Sequence, residues 1–181
     1  GMHDDSDILA LSVNRLKPDQ VIIGACSGIY RSDNGAAQWR KLMGITGAGF
    51  RTYAVAMDPR NADIIYSGTR DGLWRSSDGG KAWKKLAPNI VKSIAISPDS
   101  RKIYLATEDA GVLLSNDGGA TFRAAQNGFA DLRFHSMTAA GPAVFVETPA
   151  GLSSARWTDS NASWKAQPPP PSNARLVDMI S

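Results

Sequence analysis

Apolar and polar positions alternate along this chain in short runs, and no run continues long before a turn residue breaks it. Period-two alternation is the mark of a strand with one buried face, whereas an amphipathic helix needs apolar residues every three or four positions over a dozen. No stretch meets the second condition, so helix is expected to be nearly absent. The alternating runs 8–13, 53–57, 91–96 and 134–137 predict four first strands. Each is followed by a polar turn containing proline: Lys17-Pro18-Asp19, Asp58-Pro59-Arg60, Ser97-Pro98-Asp99 and Gly141-Pro142. Proline presets the turn dihedral and Asp accepts hydrogen bonds from neighbouring amides. Second strands follow at 21–25, 64–68, 103–107 and 143–147. Gly28, Gly72, Gly111 and Gly151 then open third strands, and Trp39, Trp83, Phe122 and Trp164 mark the fourth.

The opening glycines lie 44, 39 and 40 residues apart, a period that fits four short strands and three turns. The turn between the third and fourth strands repeats as S-x-[DN]-x-G-x-x-aromatic. Its residues are Ser32, Asn34 and Trp39; Ser76, Asp78, Gly80 and Trp83; and Ser115, Asp117, Gly119 and Phe122. In the first unit Ala36 stands where the others have Gly, with Gly35 one place earlier. Asp, Asn and Ser accept backbone amides inside a tight turn, and Gly supplies a positive φ. These residues are therefore expected to be structural. The aromatic is expected to pack into the seam with the following unit. In the fourth unit Ala155 and Trp157 replace Ser and Asp, and Trp164 comes two residues late. An irregular turn is expected there, with an aromatic that matters less.

Three such octapeptides in register resemble the Asp-box, or BNR repeat, of sialidases, sortilin-type receptors, endo-xyloglucanases and photosystem II stability/assembly factor-like proteins. The resemblance runs from about Ile8 to Trp164. It implies an all-β fold of β-propeller-type blades with four antiparallel strands each. Four repeats form either a four-bladed ring or part of a larger propeller. It also implies that the Asp-box turns lie on the rim of the face away from the ligand.

Composition narrows function mainly by exclusion. The chain has 181 residues, 43% hydrophobic and 20% charged, as in a globular domain, and its net charge of +3 is spread along it. Scattered cations make no nucleic-acid footprint, and no apolar run is long enough for a membrane span. The single Cys26 forms no internal disulfide and no cysteine metal site. The Arg-Ile-Pro motif of sialidases is missing, since Arg15-Leu16-Lys17-Pro18 does not match it. No zinc-protease, P-loop, nucleophile-elbow or dinucleotide motif occurs either. His3 lies in the leader, and His135 is expected as a structural residue of a first strand.

The expected organisation is a leader or tag remnant at 1–6, four blades at about 7–50, 51–89, 90–132 and 133–173, and the first strand of a further unit at 174–181. The run 168–171 is expected to be extended and polyproline-like. The favoured function is a non-catalytic binding or assembly scaffold, and the alternative is a glycoside-hydrolase-like protein acting on carbohydrate. No catalytic residue, cofactor or metal is expected. Loops joining second to third strands and blade to blade share one face in a propeller. That face is expected to carry Arg51, Arg70, Asp71, Glu108, Asp109 and Arg133, with Phe50 and residues 129–133 alongside. The expected partner is a protein or a carbohydrate, with self-association to complete a propeller. Compartment is open, an extracytoplasmic one being favoured.

Overall fold

The computed structural model describes residues 7–45, 51–129, 133–134 and 136–168. Sixteen strands fall into four sheets, each a meander of four strands in sequence order. Blade 1 holds β1 (Ile8–Val13), β2 (Val21–Ala25), β3 (Gly28–Ser32) and β4 (Arg40–Leu42). Blade 2 holds β5 (Thr52–Met57), β6 (Ile65–Thr69), β7 (Gly72–Ser76) and β8 (Lys84–Ala87). Blade 3 holds β9 (Val91–Ile96), β10 (Ile103–Thr107), β11 (Val112–Ser115) and β12 (Arg123–Ala124). Blade 4 holds β13 (Ser136–Ala140), β14 (Ala143–Thr148), β15 (Gly151–Arg156) and β16 (Lys165–Ala166). All pairing is antiparallel, and the described residues contain no helix.

Several strand bounds shift from the sequence pattern: β5 opens one residue early, at Thr52, and β11 one residue late, at Val112. The first strand of blade 4 begins at Ser136 and runs to Ala140, leaving Phe134 ahead of it. Phe134 instead stacks edge-on against Phe129, with ring centroids 5.3 Å apart, and the chain straightens into strand only after this contact. The second strand of blade 2 runs one residue later than the pattern suggests, as Ile65–Thr69. That of blade 4 extends to Thr148. The leader 1–6, Phe50, residues 130–132, His135, residues 169–171 and the extra strand at 174–181 lie outside the described residues.

The blades stack through their first strands, β1 against β5, β5 against β9, and β9 against β13. Among the described residues no packing of similar extent joins β13 to β1. Hydrogen bonds stitch the first strands across seams: the Met57 amide donates to Ser12 Oγ (3.2 Å) and Ser93 Oγ donates to the Met137 carbonyl (3.1 Å). Each seam has its own core. Ile22, Ile29 and Leu42 of blade 1 meet Val55, Met57 and Ile65 of blade 2. Tyr66, Leu73 and Ala87 of blade 2 meet Ile103, Leu105 and Leu113 of blade 3. Tyr104, Val112 and Leu114 of blade 3 meet Val144, Val146 and Trp164 of blade 4. Period-two alternation thus serves two faces at once, because the middle strands β2, β6 and β10 are buried along their whole length.

Candidate functional site

Antiparallel meanders divide the loops between two ends of the molecule. Turns joining first to second strands and third to fourth strands share one end, here the turn side. Loops joining second to third strands, and blade to blade, share the other, the loop side.

On the turn side the repeated octapeptide makes one hydrogen-bond pattern three times. The serine hydroxyl donates to the Asx side chain, from Ser32 to Asn34 at 3.0 Å, Ser76 to Asp78 at 2.8 Å and Ser115 to Asp117 at 2.7 Å. The same serine oxygens accept the amides of Ala36, Gly80 and Gly119 at 2.9, 2.8 and 2.8 Å. Asp78 Oδ1 accepts Lys81 and Ala82 amides at 2.9 and 3.0 Å, and Asp117 Oδ1 accepts Ala120 and Thr121 amides at the same distances. Gly35, Gly79 and Gly118 then donate to carbonyls of the neighbouring proline turn, at Asp19, Asp63 and Arg101, each at 2.9 Å. Hydrogen bonds from Ala82 and Ser76 hold the Asp78 carboxyl below its usual range. Those from Ser115 and Thr121 do the same for Asp117, further down. Carboxylates stabilised in this way stay ionised and accept hydrogen bonds; proton donation at neutral pH would need the opposite shift.

The aromatics follow a rule that the pattern did not indicate. Trp83 packs on the blade 1–blade 2 core, Phe122 on the blade 2–blade 3 core, and Trp164 within the blade 3–blade 4 core. Each therefore fills the seam with the preceding blade, not the following one. Trp164 is the best buried of the four, 6% exposed, whereas Trp83 is only half-buried. Its Nε1 donates to the Ala125 carbonyl at 2.6 Å, and its ring contacts Tyr104 and Phe129. The late placement of this tryptophan is a consequence of a different turn. There the Trp157 amide donates to the Pro142 carbonyl, the tie that Gly118 makes in blade 3, and Ala162 takes a positive φ of 48°.

The loop-side residues are engaged locally. Burial pushes the Asp71 carboxyl up, but hydrogen bonds from Trp74, Thr69 and Lys85 outweigh it and hold the group below its usual range. These contacts run from Trp74 Nε1 at 3.0 Å, Thr69 Oγ1 at 2.9 Å and Lys85 Nζ at 3.3 Å. Glu108 pairs with Lys92 at 2.6 Å, and the Lys92 ammonium sits 3.7 Å from the Tyr53 ring centroid, across the seam. Asp109 accepts Asn89 Nδ2 at 3.1 Å and the Ile90 amide at 3.2 Å. Arg51, Arg70 and Arg133 are exposed. A hydrogen bond to Cys26 raises the Arg51 guanidinium above its ordinary value. Asp71 thus belongs to blade 2 alone, while Glu108 and Asp109 tie blade 3 to the chain entering it.

The turn side also holds concavities that the sequence reading did not anticipate. One, of about 190 Å³, is lined by the first-strand ends of all four blades, among them Val13, Arg15, Met57, Asp58, Ile96 and Ala139. A second, of about 690 Å³, lies between the turns of blades 3 and 4, and both share Pro98, Gly141 and Trp157. The signal in the sequence was the departure at Trp157, where a large ring replaces the small turn-forming Asp. Among the described residues no group of three or more His, Cys, Asp or Glu side chains is arranged to hold a metal ion.

No family model matches the chain, and no curated protein matches it in sequence. Solved structures do. A GH74 enzyme from Niastella koreensis superposes with a TM-score of 0.71 at 18% identity, over 87% of this chain and 29% of that one. The GH74 xyloglucanase from Xanthomonas campestris gives 0.67 at 20% identity, over 92% and 32%. A structure described as YCF48 bound to D1 peptide gives 0.64 at 13% identity, over 91% and 53%. The chain thus spans between a quarter and about half the length of these proteins. At such identities the likeness establishes the fold alone: the chain is all-β and built of four propeller-type blades.

Proposed function

We propose that this chain is a non-catalytic binding scaffold that uses its loop side to hold a protein partner. The observation that carries the reading is the state of its carboxylates. Asp71, Asp78, Asp99 and Asp117 are all held below the usual range by local donors. Glu108 and Asp109 are tied to Lys92 and to Asn89 with the Ile90 amide. Glycoside hydrolysis needs a carboxyl raised toward neutrality and a second one free to act on the sugar or on water. A surface of exposed Arg51, Arg70 and Arg133 beside paired acids suits recognition of a polar partner. Two kinds of structural neighbour bear on the partner: YCF48, described with a bound D1 peptide, and GH74 xyloglucanases. The first supports a protein ligand, and the second keeps carbohydrate as the alternative.

The test has two arms. Incubation with xyloglucan oligosaccharides should release no new reducing ends. Selection from a displayed random-peptide library should yield binders whose affinity drops about tenfold on charge reversal at Arg51 or Arg70 and is unchanged by reversal at Arg60 or Asp99. Turnover of xyloglucan, or equal losses from the two sets of reversals, would overturn the reading.

A further inference from the structure

We propose that the turn-side cavity of about 190 Å³ is a binding site for a free apolar α-amino acid, with the ammonium against Asp58 and the carboxylate against Arg15. The inference is independent of what the loop side binds. It rests first on a comparison of equivalent turn positions. Asn14, Asp58 and Ser97 follow the first strands of blades 1, 2 and 3, and their amides donate to the Gln20, Ile64 and Lys102 carbonyls, each at 2.9 Å. In each blade the side-chain oxygen also accepts amides of its own turn. Asn14 Oδ1 takes those of Leu16 and Lys17, Asp58 Oδ1 those of Arg60 and Asn61, and Ser97 Oγ that of Lys102. A neutral amide or hydroxyl therefore serves the turn in two blades, and the charge of Asp58 is surplus to it.

That charge is placed where it is costly. Asp58 is 6% exposed and has no ion pair among the described residues. Its hydrogen bonds, including one from Ser100 Oγ of blade 3 at 2.7 Å, all converge on Oδ1. Oδ2 takes part in none of them and is not sealed from solvent, because Asp58 borders the cavity. A carboxylate this deep is ordinarily paired, since desolvating an uncompensated charge is expensive. The cavity is the open approach to it.

The other walls specify the cation. Val13, Ile96, Ala139 and Trp157 bring apolar surface from blades 1, 3 and 4 around the same space. A hard divalent metal takes roughly six or more oxygens. Among the described residues no group of three or more acids, His or Cys is gathered to supply them. An organic ammonium with a hydrocarbon portion satisfies both the carboxylate and the apolar walls. Arg15 narrows the choice further: it lines the cavity, is exposed and has no ion pair among the described residues. A simple amine would meet its repulsion, whereas a solute that also carries a carboxylate answers both charges. Drug-sized ligands fill roughly 300–1,000 Å³, so this smaller space suits a molecule on the scale of one amino acid.

Isothermal titration calorimetry of the whole chain with L-leucine reads this directly. One molecule should bind per chain with a Kd of about 1 mM or tighter. N-acetyl-L-leucine, which lacks the ammonium, and isopentylamine, which lacks the carboxylate, should each bind about tenfold more weakly or worse. Asp58→Asn should lose about tenfold or more with an unchanged strand circular-dichroism spectrum, because Asn14 holds the same turn with an amide oxygen. Asp19→Asn, on a neighbouring turn outside the cavity, should bind as the unaltered chain does. Should Asp58→Asn fail to fold, Ala139→Phe makes the test by filling the cavity from an exposed position. No binding of L-leucine up to about 10 mM would overturn the proposal. So would equal binding of either analogue, loss of binding in Asp19→Asn, or a folded Asp58→Asn or Ala139→Phe chain that binds unchanged.

Discussion

Asp117 shows how much a surface turn can depend on one ionised side chain. Its two oxygens accept the Ser115 and Thr121 hydroxyls at 2.7 and 2.6 Å, besides the Ala120 and Thr121 amides. Its folded-state pKa is therefore depressed, as is that of Asp78. A depressed carboxylate contributes stability that is present above the unfolded value near 3.9 and is lost as pH falls through the folded value. Acid should thus lower the melting temperature progressively below about pH 4. Asp117→Asn keeps an acceptor oxygen, as Asn34 does when its Oδ1 accepts the Gln38 amide at 2.9 Å. That variant should stay folded at pH 7 with a flatter acid limb than the parent. A limb of identical slope would show that the Asp117 charge plays no part in acid unfolding. The glycines make a second residue-scale prediction. Gly80→Ala should cost about 1–3 kcal/mol, because its Cβ would overlap Leu42 at a φ of 91°. Ala36→Gly should stabilise by about 1 kcal/mol, by relieving a left-handed alanine at φ 67°. Chemical denaturation of both variants decides the signs. Serine, Asx and glycine at fixed offsets announced a tight turn in the sequence, because local geometry dictates those residue types. The pressure of Leu42 on Gly80 was invisible there, since it comes from the neighbouring blade.

At the scale of the strand, alternation located the eight first and second strands closely, a glycine and an aromatic marked the third and fourth, and the larger shifts arose where tertiary contacts reset a boundary. Phe134 resembles a strand residue in sequence, yet it is spent on the Phe129 ring. The aromatics, each one residue ahead of its fourth strand, show the limit more clearly. Trp83 packs against one face of its sheet, but the sequence does not say which neighbouring blade lies over that face. The direction is set by how the blades follow one another, and that is not written in any single repeat. The fourth unit was expected to be the weak one because its octapeptide is eroded. Instead Trp164 sits among Tyr104, Phe129 and the Ala125 carbonyl, and Trp157 adds a ring 5.6 Å from Tyr104. Loss of the Asp has been offset by two buried indoles. Trp164→Ala should therefore cost about 3–5 kcal/mol, and Trp83→Ala, half-buried, less than Trp164→Ala. Urea titrations that rank Trp83 as the costlier site would refute the packing order. The loop-side residues were the least legible. Arg70 and Asp71 are neighbours in sequence, yet Asp71 turns to Thr69, Trp74 and Lys85 while Arg70 stays exposed. Charge alone does not say which partner a side chain will take.

At the scale of the molecule, four blades in a row behave as a short stack, in which each is stabilised by its own sheet and by the faces it shares. Blade 2 and blade 3 each have a covered leading and trailing face. On the leading face of blade 1, Val21, Ile23, Ala25 and Tyr30 are buried while Leu11 and Val13 of β1 are exposed, and the trailing face of blade 4 mixes exposed Thr138, Glu147 and Arg156 with half-buried Phe145 and Leu152. Local stability should follow that inventory. In β10, Ile103 and Leu105 face blade 2 while Tyr104 and Ala106 face blade 4, and burial pushes the Tyr104 hydroxyl up to about 12. In β6, Ile65 faces blade 1 and Tyr66 faces blade 3, where its hydroxyl donates to the Gly118 carbonyl at 3.3 Å. β1 has one covered face, where Ala10 and Ser12 meet blade 2, and one bare face. Opening β1 exposes little that is not already wet, whereas opening β10 breaks two cores. Hydrogen exchange should then find β10 and β6 slowest. Among first strands, β1 should exchange about tenfold faster or more than β5 and β9, a gap of ~1.4 kcal/mol in opening free energy. Equal protection of β1, β5 and β9 would mean that the stack opens as one cooperative unit, and that the exposure of Leu11 and Val13 on β1 carries no energetic cost.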